Sequence, residues 1–145
     1  MTYHLLLLPL IAGLITQTSK FALQTNKQKL NFKNLLAYSG MPSSHSSMIV
    51  SLATIIGLET GFGSAYFAIS FIIALIILRD AMGLRRYLGQ HGKILNILVK
   101  DLGDDQVLEQ KYPHLLENIG HTPAQVLVGA LTGLLVSLVG YYFFK

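Results

Sequence analysis

Four apolar stretches dominate the chain, near Tyr3–Ser19, Ser44–Thr60, Ser64–Met82 and Thr122–Phe144. A helix needs roughly 20 apolar residues to cross the hydrocarbon of a bilayer, where only helices and closed barrels satisfy their own backbone polar groups. The pattern predicts an all-α integral membrane protein, a bundle of about four transmembrane helices in one domain spanning 1–145. Only 12% of the residues are charged, against about 25% in soluble domains. The first stretch lacks a preceding basic segment and a small-x-small cleavage site, so it reads as a span rather than a removable leader. Without cysteine, disulfides and thiolate metal sites are excluded. The net charge of +4 is not gathered in a long basic run, which argues for a membrane-face bias and against nucleic acid.

With four spans, the polar segments fall into two sets. Lys20, Lys27, Lys29, Lys33, Arg85, Arg86, Lys93, Lys100 and Lys111 share one face, with Arg79 one turn inside it, whereas Lys145 lies on the other. The positive-inside rule makes the first face cytoplasmic and places both termini outside, in a multi-pass protein of the cell membrane. Tyr3, Phe62, Tyr66, Phe67 and the aromatics of 141–144 form a belt at the outer face. In the long connection, Ile94, Leu95, Leu98 and Val99 have helical spacing, as do Leu108, Tyr112, Leu115, Leu116 and Ile119. They predict two amphipathic cytoplasmic segments, broken at Gly103–Asp104–Asp105 and Pro113.

Two histidines stand just before spans. Met41–Pro42–Ser43–Ser44–His45 carries helix-start residues, and a helix start offers free N–H groups and partial positive charge to a phosphate. In Gly120–His121–Thr122–Pro123–Ala124–Gln125, Thr122 can cap, Pro123 suits the first helical position and Gln125 completes a capping box. Taken singly, the first segment reads as a serine cap with an incidental histidine, and His121 as a structural imidazole. Together, with Lys20, Arg79, Arg85 and Arg86 at the same end, they mark an ionisable cluster beside the membrane, whose default reading is functional. Snorkelling is the alternative for Lys20 and Arg86.

Gln17–Lys20, the run GMPSSHSS at 40–47, DAMGLRRYLG at 80–89, Ile94–Asn96 and GHTPAQVLVG at 120–129 occur in this order. With them the chain resembles the divergent branch of the type 2 phosphatidic acid phosphatase superfamily, also called the acid phosphatase/vanadium-dependent haloperoxidase-related family. The resemblance implies that Lys20 is the lysine of the first phosphate-binding motif and that Pro42–Ser43–Ser44–His45 is the second, with Ser44 in place of glycine. It also implies that His121, Pro123, Val126 and Gly129 end the third. Three positions depart from the pattern: Leu115 and Lys27 stand where arginines are expected, and Gln125 where an acid is expected.

The implied chemistry is metal- and cofactor-independent hydrolysis of a phosphomonoester or diphosphate on a lipid. His121 is the nucleophile and His45 the general acid. Lys20, Arg85 and Arg86 neutralise the phosphoryl oxygens, and Ser43 and Ser44 donate hydrogen bonds. Gln125 or Asp80 would orient His121; Asp80 would otherwise pair with an arginine. The alternatives are a non-catalytic phospholipid- or phosphate-binding membrane protein and a transport or assembly role. A divalent site at Asp80, Asp104 and Asp105 is a weaker option, since those residues share no recognised ligand spacing. Gly57–Gly61 and Gly129–Gly133 are both G-x-x-x-G, which serves either packing within the bundle or a homodimer seam.

Overall fold

The computed structural model describes residues 3–22, 40–101, 114–117 and 119–144. Among them the regular structure is helical: α1 (Tyr3–Ala22), α2 (Ser44–Thr60), α3 (Ala65–Met82), α4 (Leu84–Asp101) and α5 (Pro123–Phe144). Lys27, Lys29, Lys33, Lys111 and Lys145 lie outside the described residues, as do Gly103–Asp104–Asp105, Leu108, Tyr112 and Pro113.

The helix starts follow from local hydrogen bonding. Ser43 caps α2, its hydroxyl accepting from the Ser46 N–H at 3.4 Å, and Ser64 caps α3 by accepting from the Phe67 N–H at 3.1 Å. At α5 the capping box is formed. The Thr122 N–H donates to Gln125 Oε1 at 2.9 Å, and the Gln125 N–H donates to Thr122 Oγ1 at 3.3 Å. Gly61 ends α2 with φ +85, a conformation in which an L side chain is strained.

Helix α2 packs against α1, α3 and α5. The close approach of α5 depends on Gly129 and Gly133, where a Cβ would strike the carbonyl oxygens of Ser43 and Ser47. That G-x-x-x-G therefore serves packing within the chain. Gly57 instead faces the rings of Phe62 and Phe67, and Gly61 lies at a helix end.

Polarity is inverted relative to a soluble core. Thr16, Ser43, Ser46, Ser47, Ser51 and Ser137 are fully buried, whereas Leu6, Leu14, Ile69, Ile76, Leu127 and Leu135 are exposed. Thr16, Ser43 and Ser46 are satisfied within their own helices, and Ser47, Ser51 and Ser137 across helices. Ser51 and Ser137 lie Oγ to Oγ at 2.7 Å, Ser137 Oγ donates to the Ser51 carbonyl at 2.8 Å, and Ser47 Oγ donates to the Ala12 carbonyl at 3.2 Å. An apolar exterior over a hydrogen-bonded polar interior suits lipid as solvent.

By length and composition, two helical stretches qualify to cross a membrane: one within Ala65–Asp101 and the other Pro123–Phe144. Of the remaining two proposed spans, α2 is shorter, at 17 residues, and both α1 and α2 carry polar residues for a packing reason. Thr16, Ser46, Ser47, Ser51 and Lys20 are buried among the helices, and α2 packs against three of them.

The first amphipathic segment is helical and longer than expected, reaching back to Leu84. The second is corrected where it is described: residues 114–117 and 119 are not helical. This backbone packs along α4, where Gly89 and Gly92 leave room for the carbonyls of Leu116, Glu117 and Ile119. Asn96 clamps it, Nδ2 donating to the Leu115 carbonyl at 2.9 Å and Oδ1 accepting from the Leu115 N–H at 3.0 Å. These bonds to α4 satisfy backbone groups that a helix would have satisfied internally.

Candidate anion site at two helix starts

Two backbone hydrogen bonds assemble the site. The Ser43 N–H donates to the Gln125 carbonyl at 3.1 Å, joining the starts of α2 and α5. The His121 N–H donates to the Ala81 carbonyl at 3.0 Å, joining the approach to α5 to the last turn of α3. Gly120, at φ +92, lies against the Arg85–Arg86 backbone so closely that a Cβ would collide with the Arg86 nitrogen. The start of α4 thereby reaches the histidines.

The cluster is cationic. Lys20, in the last turn of α1, is only 3% exposed, while His45 stands exposed in the first turn of α2. Lys20, Arg85 and Asp80 are the charged neighbours of His45, and Lys20, His45 and Arg85 those of His121. Arg85 Nε donates to Asp80 Oδ2 at 2.6 Å, so Asp80 takes the arginine-pairing role. Both side chains are more than a third or about a third exposed, at 40% and 33%, and the pair contributes at most about 1 kcal/mol to stability.

His121 is 4% exposed, and its Nδ1 has no hydrogen-bond partner among the described residues. Burial pushes its pKa below the ordinary imidazole value. The Lys20 charge adds to this, Gln125 opposes it, and His45 and Arg85 add smaller effects. Burial thus favours the neutral imidazole. His121 lines a cavity of about 370 Å³ together with Arg86, Gln90, Lys93, Glu117 and Gln125.

The serines are engaged. The Ser43 hydroxyl is fully buried and accepts from Ser46 Oγ at 2.8 Å in addition to capping, while Ser44 Oγ donates to Gln17 Oε1 at 2.6 Å. The fold thus gathers Lys20, His45, His121 and Arg85 within electrostatic range, and joins His121, Arg86 and Gln125 in one cavity. Leu115, where the motif pattern expects arginine, is 43% exposed, whereas Arg86 lines the cavity beside His121. Sequence reasoning missed Gln90, Lys93 and Glu117. A signal for the first two existed: Arg86, Gln90 and Lys93 are spaced to share one face of a helix.

With this geometry in place, the whole-chain likeness is decisive: residues 1–136 match the Divergent PAP2 family. The chain belongs to that family. It is 37% identical over 149 aligned residues to the Bacillus subtilis (strain 168) protein described as uncharacterized membrane protein YuiD, covering 96% of this chain and 94% of that one. No solved structure matches the chain. This Divergent PAP2 protein is therefore an all-α membrane protein related to the phosphatidic acid phosphatases.

Proposed function

We propose that the protein is a membrane lipid phosphatase that hydrolyses a phosphomonoester or diphosphate on a lipid through a phosphohistidine at His121. The observation that carries this reading is the joining of two histidine-bearing helix starts by the Ser43–Gln125 hydrogen bond, with Lys20 and Arg85 in electrostatic range of both imidazoles. Neutral His121 attacks phosphorus as the ester P–O bond breaks, and protonated His45 delivers its proton to the leaving oxygen. Water then attacks the phosphohistidine, giving up its proton to His45, and phosphate leaves with His121 regenerated. Lys20, Arg85 and Arg86 offset the charge on the phosphoryl oxygens. Ser43 acts mainly by holding the α2 start, and Ser44 by its position beside Gln17. The cation distribution supports a cytoplasmic site in a multi-pass protein.

One observation favours a second reading, a non-catalytic binder of phospholipid or phosphate. Among the described residues the Nδ1 of His121 has no hydrogen-bond partner, and Asp80 is committed to Arg85. The test is phosphate release from lipid monophosphate and diphosphate in detergent, with and without chelator. Release that survives chelator and is lost in both His121→Ala and His45→Ala supports the enzyme, and undiminished release in both variants defeats it. No release, with Lys20- and Arg86-dependent phosphate binding, establishes the binder.

A further inference from the structure

Helix α4 has three distinct sides. One is covered by residues 114–117 and 119 through Gly89, Gly92 and Asn96. A second carries Arg86, Lys93 and Lys100, seven residues apart and so nearly in line. The third carries Leu84, Tyr87, Leu88, Ile94, Leu95 and Leu98, all about half exposed or more, with His91 the polar residue among them. The apolar side and the cationic line lie on nearly opposite faces of the same helix.

The chain's own geometry identifies what covers the apolar side. Helix α4 starts one residue after the Gly83 cap of α3. Outward residues Ile69, Ile72, Ile73 and Ile76 of α3 are exposed in a stretch apolar enough to cross a membrane. α4 therefore begins at the level where that stretch leaves the hydrocarbon. A helix with one apolar face and a cationic polar face, starting at that level, meets the requirements for lying in the bilayer interface. We propose that α4 is an interfacial helix seated on an anionic lipid surface, its Leu88–Leu95 side in the acyl boundary and its Arg86–Lys93–Lys100 line among the headgroups. Because Arg86 and Lys93 also line the His121 cavity, this seating opens the cavity at headgroup level. The inference does not depend on hydrolysis at His121.

The absence of native cysteine makes the test direct. Leu88→Cys, Leu95→Cys and Lys100→Cys variants of the full chain are spin-labelled and placed in vesicles of phosphatidylcholine with phosphatidylglycerol. Collision with oxygen and with a water-soluble nickel chelate is then measured. Labels at 88 and 95 are expected to favour oxygen, at a depth of roughly 5–10 Å, and the label at 100 to favour nickel. Nickel preference at 88 and 95 would overturn the proposal by placing that side in water. Protection from both reagents would also overturn it, by placing the side against a second copy or another protein.

Discussion

The Ser43 N–H and the Gln125 carbonyl, 3.1 Å apart, tie together two helix starts that are far apart in sequence. His45 follows the first of these residues closely, and His121 shortly precedes the second. The hydrogen bond thus holds together the two backbone segments that carry the imidazoles.

Gln125 accepts from the Thr122 N–H, a role that a carboxylate at a helix start fills at least as well. Gln125→Glu should therefore fold normally. A negative charge there favours the imidazolium form of His121. If His121 is the nucleophile, the acid limb of kcat/KM moves upward in pH and turnover rises. The pH–rate profile of the variant, read beside the parent, checks both.

The parent itself has a defined pH signature. A nucleophilic His121 must be neutral, and burial and Lys20 hold its pKa below 6.5, so its acid limb should fall below that value. Stability follows the same sign. Where the folded state binds fewer protons than the unfolded chain, stability rises with pH. The contribution of His121 is fully present above the unfolded value of about 6.5 and is lost as pH falls below it. Tm measured in detergent from neutral to mildly acidic pH should decline, and His121→Asn should flatten the decline.

Gly129 and Gly133 admit the backbone of α2 directly. Gly133→Ala presses a methyl on the Ser47 carbonyl, and Gly129→Ala presses one on the Ser43 carbonyl. Overpacking of this kind costs about 1–3 kcal/mol. Both variants should unfold earlier, but only Gly129→Ala displaces the residue bonded to Gln125. Phosphate affinity of the still-folded proteins, measured by titration, should weaken more in Gly129→Ala.

The buried Ser51–Ser137 pair joins α2 to α5 within the bundle. Hydrogen bonds between membrane helices average about 0.6 kcal/mol in double-mutant cycles. Ser51→Ala, Ser137→Ala and the double variant, unfolded in detergent, should give a coupling energy of that order. Zero coupling would show that the two hydroxyls find equivalent partners after either truncation.

The parts of the site legible in sequence were those built by short-range hydrogen bonds. Ser43 and the Thr122–Gln125 box act within three residues of themselves, so their patterns directly specify where α2 and α5 begin. The four apolar stretches likewise indicated helices without any knowledge of their neighbours. Leu115, Leu116 and Ile119 carry helical apolar spacing, but Gly89, Gly92 and Asn96 offer the same backbone a partner on α4.

The sequence alone determined the helical class, the apolar lengths and the placing of two histidines at helix starts, because each depends on residues a few positions apart. Tertiary structure decided which cations stand near the histidines. It committed Asp80 to Arg85, put Arg86 and Lys93 in the His121 cavity, and left Nδ1 without a partner among the described residues. Those relations depend on how closely helices approach one another. Glycines at 120, 129 and 133 set that distance by lacking a Cβ where another backbone must pass, and the consequence appears only once both elements are in place.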